Sequence, residues 1–305
     1  GKQLGSTIEF DNITSFKGRT RGKVATGGWL LEYNEKLVEK GKQPLTTDDF
    51  RITKDSRVVE EDKVAKSFLT KQIEKYQTLP WVKEIKLVIG ADKGNYRDRV
   101  AFSKPYKGTR GAKPLRYSAI KDWLKEKYGH LITLAEGIEA DDVVSIIGWW
   151  AYRNNQNVVS MHIDKDLDQF PGWHLNYNKG LNDDDFLKTE PIWIDEFSGA
   201  KDFWSQTIKG DSVDNIAGIP GKADRWCEEN LSPLDNEKDI VVEVLKAYKE
   251  HYTNKPYKNK DSRREYTWFE MADEAYQLLR LMDTKDVYPT LSDHIDMLGI
   301  DKEDI

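Results

Sequence analysis

Three carboxylates stand within four residues in the stretch Gly137-Ile138-Glu139-Ala140-Asp141-Asp142-Val143-Val144. Val143, Val144, Ile146, Ile147 and Trp150 then recur at helical spacing, so the acids fall at the first turn of a helix with one face to bury. Glu139 and Asp142, three apart, share a face there, while Asp141 points elsewhere. A helix N-terminus favours negative charge through its dipole. That accounts for one or two acids. Three beside a buried helix also repel one another, which points to a use beyond capping. Similar groups follow other apolar stretches: Asp92 after residues 85–90, Asp164 and Asp166 after residues 158–163, and Asp211 with Asp214 in the loop-rich segment 208–222.

Gathered in one pocket, Asp92, Glu139, Asp141, Asp142, Asp164, Asp166, Asp211 and Asp214 cannot all stay ionised without cations. A donor set made only of oxygen selects hard ions, Mg²⁺ or Mn²⁺, over Zn²⁺. Two such ions beside a basic arm suit phosphodiester hydrolysis, where they activate water and stabilise the leaving oxygen. Asp141 and Asp166 are the catalytic candidates among the acids. The basic arm is at hand. Lys93, Arg97, Arg99, Lys104, Lys107, Arg110, Lys113 and Arg116 face Asp98 alone across residues 93–118, although the whole chain carries a net charge of −6. The distribution, more than the sum, decides whether a polyanion can bind.

Other chemistries are weaker. Asp164, Asp166 and Asp168 resemble the start of a calcium loop, but Gln169 stands where the turn glycine belongs and Leu175 where the closing Glu belongs. The triple acid Asp183-Asp184-Asp185 reads as a solvated loop. His130, His162, His174, His251 and His294 are scattered without metal-ligand spacing and read as structural or surface residues. Cys227 is the only cysteine, which leaves no intrachain disulfide and no thiolate site. There is neither a P-loop nor a glycine-rich dinucleotide fingerprint. No apolar run of about 18 residues or more predicts a membrane span, and Gly1-Lys2-Gln3-Leu4 opens no signal core. A cytoplasmic setting is the expectation.

The elements that must position these residues follow from periodicity. Residues 62–77 carry Val64, Phe68, Leu69, Ile73 and Tyr76 on one helical face. Residues 85–90, 131–134, 158–163, 173–177 and 191–194 read as strands, the third mostly apolar as in a buried parallel strand. Residues 115–128, 143–152, 240–252 and 268–282 read as helices, and 29–40 as another. Ile8, Phe10 and Ile13 allow a short strand. Strands alternating with helices predict an α/β domain with a mainly parallel sheet. Ligands bind beyond the carboxyl ends of such strands, where Asp92, Asp164 and Asp166 fall. The texture turns helical from Phe203, so the expected domains are residues 1–200, with 12–60 an unplaced insertion or extension, and residues 201–305. With 305 residues, 38% hydrophobic and 33% charged, the chain has material for both.

Five motifs stand in order: Asp92-Lys93-Gly94; Tyr106-Lys107-Gly108-Thr109-Arg110; Glu139-Ala140-Asp141-Asp142; Asp164-Lys165-Asp166; and Gly210-Asp211-Ser212-Val213-Asp214-Asn215-Ile216 with Gly218-Ile219-Pro220-Gly221. Together, over about residues 85–225, they resemble the bacteriophage 5′-exonuclease and flap endonuclease family, which includes the 5′-nuclease domain of bacterial DNA polymerase I. The resemblance implies a PIN-like α/β domain, its mainly parallel sheet flanked by helices, with a C-terminal helix–three-turn–helix element. It implies two divalent cations, one served by Asp92, Glu139 and Asp141, the other by Asp164, Asp166, Asp211 and Asp214, with Asp142 close to both. Lys107 and Arg110 match the family's basic pair at the scissile phosphate, where fixed positive charge offsets charge building on the phosphoryl oxygens. Tyr106 would stack on a base or pack. Lys93, Arg97, Gly218, Gly221 and Lys222 complete the expected DNA contacts, and the 216–222 turn would also hold K⁺. The expected activity is 5′-3′ exonuclease and flap endonuclease cleavage of DNA to 5′-phosphates by a monomer, extending to RNA–DNA hybrid in primer removal.

Two departures keep other readings open. The family opens on an apolar strand ending in a ligand Asp. Asp11, after Ile8-Glu9-Phe10, is a poor match, because residues 12–28 do not continue as a helix. The 218–222 turn is also shorter than usual. A catalytically weak or inactive DNA-binding module and a PIN-type ribonuclease are the alternatives.

Overall fold

The computed structural model describes residues 7–16, 19–22, 34–44, 51–58, 62–90, 94–111, 113, 116–176, 190–260, 262–301 and 305. In chain order the elements are β1 (Thr7–Phe16), β2 (Arg19–Gly22), β3 (Arg51–Val58), α1 (Asp62–Gln77), β4 (Leu87–Gly90), α2 (Arg97–Val100), α3 (Tyr117–Tyr128), β5 (Ile132–Ala135), α4 (Ala140–Arg153), β6 (Val159–His162), a 3₁₀ turn (Lys165–Gln169), β7 (Gly172–Asn176), β8 (Ile192–Ile194), α5 (Glu196–Lys209), β9 (Gly210–Asp211), β10 (Ile216–Ala217), α6 (Asp224–Asn230), α7 (Glu237–Asn254), β11 (Tyr257–Lys258), β12 (Glu265–Tyr266), α8 (Trp268–Leu279) and α9 (Leu291–Met297). Residues 29–33 of the expected 29–40 helix lie outside the described residues, and 34–38 are helical.

The chain divides into two compact units. One takes Gly1–Ile85 with Ala112–His130, the other Lys86–Gly111 with Leu131–Ile305. The expected boundary at residue 200 falls inside the second. In the first unit β1 pairs antiparallel with both β2 and β3, and Asp11 opposes Lys54 in mid-strand. Asp11 therefore does not end a strand, as a ligand of the expected kind would. Helices α1 and α3 join through Thr70, whose Oγ1 receives the Tyr128 hydroxyl at 3.3 Å and Lys127 Nζ at 3.0 Å.

The second unit holds the parallel pairing that the sequence implies, divided among the described residues between two small sheets. β4 pairs parallel with β5, and β6 parallel with β7, which β8 joins antiparallel. Its apolar mass is helical: Trp204, Ile208, Ile240, Val244, Leu245, Leu291 and Ile295 from α5, α7 and α9 are fully buried and pack with α8. Side chains cap the starts of these helices, and α7 begins three residues before the expected 240. Asp195 accepts from Ser198 N at 2.9 Å before α5, Asn236 from Asp239 N at 2.9 Å before α7, and Thr267 forms a reciprocal box with Glu270 before α8.

Two glycines bring helices onto the 3₁₀ turn. A Cβ on Gly199 of α5 would lie 2.6 Å from Asp168 O, and one on Gly148 of α4 would lie 2.1 Å from the Phe170 ring. Only a bare backbone lets α4 and α5 close on the segment that carries Asp164 and Asp166. Among the described residues no helix is long and apolar enough to cross a membrane.

Candidate active site

The acids of the second unit stand where strands and helices end. β5 leads through Gly137, whose φ is +72°, to Glu139, the N-cap of α4. β6 leads to Asp164, which caps the 3₁₀ turn by accepting from Asp166 N at 3.0 Å. α5 ends at Gly210, and the β9–β10 hairpin presents Asp211 and Asp214. A Cβ at Gly210 would meet Gly218 N at 2.3 Å, and one at Gly218 would meet the Lys209 backbone at 2.2 Å. Both glycines are therefore required by the backbone crossing at the base of this hairpin. That is a tighter constraint than the DNA contact expected of Gly218. Gly221, at φ +84°, has open space where a Cβ would stand.

The basic arm is fastened to this hairpin. Lys107 N donates to Asp214 O at 2.8 Å, and Asn215 Nδ2 donates to Pro105 O at 2.9 Å. Lys107 takes a left-handed φ of +55°, a strained conformation for a lysine that the surrounding bonds hold in place. Its ammonium pairs with Glu139 and lies 3.5 Å from Asp214, while Arg110 pairs with Asp214. The Tyr106 hydroxyl points between the same two acids, 3.0 Å from Glu139 Oε2 and 3.2 Å from Asp214 Oδ2. Burial, with the Glu139 charge beside it, holds that hydroxyl well above the usual phenol range. Thus Tyr106, Lys107, Arg110, Glu139 and Asp214, far apart in the chain, converge.

The remaining acids continue from this cluster. Burial, and after it the Asp164 and Glu139 charges, pushes Asp141 up to about 6. Burial and then Asp164 push Asp166 up to about 6 as well. Gln206 of α5 bridges the far end, donating to Asp166 Oδ1 at 3.0 Å and Asp211 Oδ2 at 3.3 Å. Gln206 carries no mark in the amino-acid pattern, because its role depends on which face of α5 meets the turn. Asp211 Oδ1 also receives Val213 N at 2.7 Å.

Two expectations are corrected. Arg97 is 1% exposed and cannot meet DNA. Its guanidinium chelates Asp142 at 2.6 and 2.8 Å and donates to the carbonyls of Leu278 and Arg280. Asp142, wholly buried, also accepts from Glu139 N at 3.0 Å and Met282 N at 3.2 Å. All its lone-pair directions are engaged, so it cannot stand close to two cations as a ligand. Lys222 lies over the Trp226 ring at 4.6 Å and 3.5 Å from Glu250. Asp92 and Lys93 lie outside the described residues, as do Asp183-Asp184-Asp185.

The donor set of Glu139, Asp141, Asp164, Asp166 and Asp211 is all oxygen. Burial, and after it the neighbouring carboxylate charges, raises Asp141 and Asp166 to about 6, and hard divalent cations would relieve that cost of holding them ionised. No three of these acids bring ligand oxygens within 4.8 Å of one another among the described residues, so they form an open row and not a closed cage. Among the described residues the one group of three ligand atoms within 4.8 Å of one another is His162, Asp168 and His174. That pairing corrects the reading of the histidines as scattered. Only the parallel register of β6 on β7, which sequence spacing does not carry, joins His162 to His174.

Over 168 residues the chain is 27% identical to a 5′-3′ exonuclease of Buchnera aphidicola subsp. Schizaphis graminum (strain Sg). The matched stretch is 54% of this chain, which spans 58% of the length of that curated relative. Among solved structures, a T5 protein co-crystallised with metal ions is similar over 72% of this chain and 80% of its own, at 14% identity and a TM-score of 0.44. A T5 5′-exonuclease with bound zinc ions is similar over 70% and 79%, at 14% identity and a TM-score of 0.42. No family model matches the chain.

Proposed function

We propose that this chain is a divalent-metal-dependent 5′-nuclease that hydrolyses DNA phosphodiesters near 5′ ends or 5′ flaps and leaves 5′-phosphates. The observation that carries the reading is the fastening of the 105–110 arm to the Asp214–Asn215 turn, which sets Lys107 and Arg110 against Glu139 and Asp214. Cation and carboxylate side chains in alternation are what a phosphate bound over hard metal ions requires. The kinship with a 5′-3′ exonuclease supports the same class.

Glu139, Asp141, Asp164, Asp166 and Asp211 would hold Mg²⁺ or Mn²⁺, which when bound supply Lewis-acid stabilisation and a nucleophilic water. The protein's own groups do the positioning. Lys107 and Arg110, held beside Glu139 and Asp214, would face the non-bridging oxygens of the scissile phosphate and offset the charge that grows there. Tyr106 closes the wall of the site, its hydroxyl remaining a proton donor throughout the neutral range. The 216–222 turn approaches the DNA backbone through main-chain N–H groups, and a K⁺ ion there belongs to the same reading. A monomer acting in the cytoplasm, on DNA and on RNA–DNA hybrid, completes it.

The deciding experiment is cleavage of a 5′-labelled flap duplex with and without Mg²⁺. Cleavage that needs the metal and stops in excess EDTA is the expected result. The engagement of Asp142 by Arg97 favours one second reading, a weak or inactive DNA-binding module. Flap binding without cleavage in Mg²⁺ or Mn²⁺ would select it, and preferential cutting of RNA would select a ribonuclease.

A further inference from the structure

The parallel pairing of β6 with β7 sets His162 Nε2 2.9 Å from His174 Nδ1, with the rings at 89°. The other nitrogen of each ring faces a main-chain carbonyl. His162 Nδ1 lies 2.7 Å from Asp164 O, and His174 Nε2 lies 3.0 Å from Phe170 O. A carbonyl only accepts, so in the neutral rings His162 carries its proton on Nδ1 and His174 on Nε2. The two remaining nitrogens then aim lone pairs at each other. Two acceptors at 2.9 Å repel unless a positive centre lies between them or one ring takes a second proton. Asp168 forms the third wall, its Oδ1 3.7 Å from His162 Nε2 and 3.8 Å from His174 Nδ1. A point about 2.0 Å from all three atoms exists, which is the length of a zinc bond to nitrogen or carboxylate oxygen.

We propose that His162 Nε2, His174 Nδ1 and the Asp168 carboxylate bind one divalent transition-metal cation of the Zn²⁺ class, at a site separate from the acid row. Two imidazoles and one carboxylate suit Zn²⁺, whereas Mg²⁺ prefers oxygen alone. The carbonyls of Asp164 and Phe170 already fix both rings in the tautomer that such ligation needs, the outer support usual for a metal-bound histidine. The rings are 8% and 2% exposed and Asp168 36%, so the ion enters from the aspartate side and takes its fourth ligand from water. The ion would clamp β6, the 3₁₀ turn and β7 together, and that turn carries Asp164 and Asp166. The geometry stands whether or not the chain is a nuclease.

The test uses the full chain, stripped with chelator, dialysed and returned to millimolar Mg²⁺ so that oxygen-only sites are filled. One equivalent of Zn²⁺ is expected to shift the His162 Nε2 and His174 Nδ1 resonances in a two-bond proton–nitrogen spectrum, and to raise the melting temperature. His162→Gln and His174→Gln assign the signals. Asp168→Asn, at the half-exposed wall, is expected to keep the fold and weaken Zn²⁺ binding about tenfold or more. It carries the affinity comparison if the buried histidine variants unfold. Zn²⁺ that leaves both resonances in place overturns the proposal. So does a metal-free protein at pH 7.5 in which one ring is doubly protonated and stays so when Zn²⁺ is added, or an Asp168→Asn chain that binds Zn²⁺ as tightly as the parent.

Discussion

Asp142 gives both oxygens to the Arg97 guanidinium and to two main-chain amides, while Asp141, its neighbour in sequence, is crowded by Asp164 and Glu139. The two should fail in opposite ways. Asp142→Ala leaves Arg97 charged and buried, and is expected to cost about 3–5 kcal/mol in denaturant melts, with activity lost through unfolding. Asp141→Asn removes a repelled charge and is expected to stabilise the metal-free protein at neutral pH by about 1–2 kcal/mol while abolishing cleavage. The pH dependence has a definite sign. Folding raises the Asp141 carboxyl from 3.8 to about 6, so the folded state binds more protons in that window. The metal-free chain therefore loses stability as pH rises from about 4 to 6, and Asp141→Asn flattens that slope in thermal melts. Helical spacing sets Asp141 on a different face from Asp142, but nothing in the sequence shows which of the two meets a buried partner, or tells Arg97 from the seven other cations of the basic stretch. The periodicity that placed all three acids at a helix start was correct. What it lacked was the tertiary partner, which comes from residues 278–282.

The helices whose apolar face repeats at 3–4 residues were legible: α1 spans the expected 62–77, and the α4, α7 and α8 segments differ only at their capped ends. The β9–β10 hairpin was legible only as loop glycines. Its function in the fold is the backbone crossing, so Gly210→Ala and Gly218→Ala are each expected to cost about 2 kcal/mol or more in denaturant melts. They should also weaken the placement of Asp211. The 105–110 arm makes a contrasting prediction. Lys107→Ala is expected to slow flap cleavage about 10²-fold or more under single-turnover conditions, with little change in stability, because the main-chain bond of residue 107 to Asp214 survives the change. Equal loss of stability and rate would mean that Lys107 only braces the acids.

At the scale of the molecule a net charge of −6 coexists with a basic arm held against an acid row. Affinity for flap DNA is expected to fall linearly in a plot against the logarithm of salt concentration, with a slope set by the few phosphates contacted. Arg110→Ala should lower that slope by about one in binding titrations. The α/β character was readable from the alternation of apolar runs. The division of the parallel strands between two sheets was not, since it depends on pairing partners distant in sequence.

The first compact unit is discontinuous: its residues 1–85 and 112–130 are separated by an excursion into the second. Trimming the chain at residue 85 would therefore not excise a module but strand a fragment of one. Helix α3 would keep its sequence and lose Thr70, the anchor that receives Lys127 and Tyr128. In such a truncation hydrogen exchange should accelerate across 117–128 and leave the buried helices of 196–295 protected.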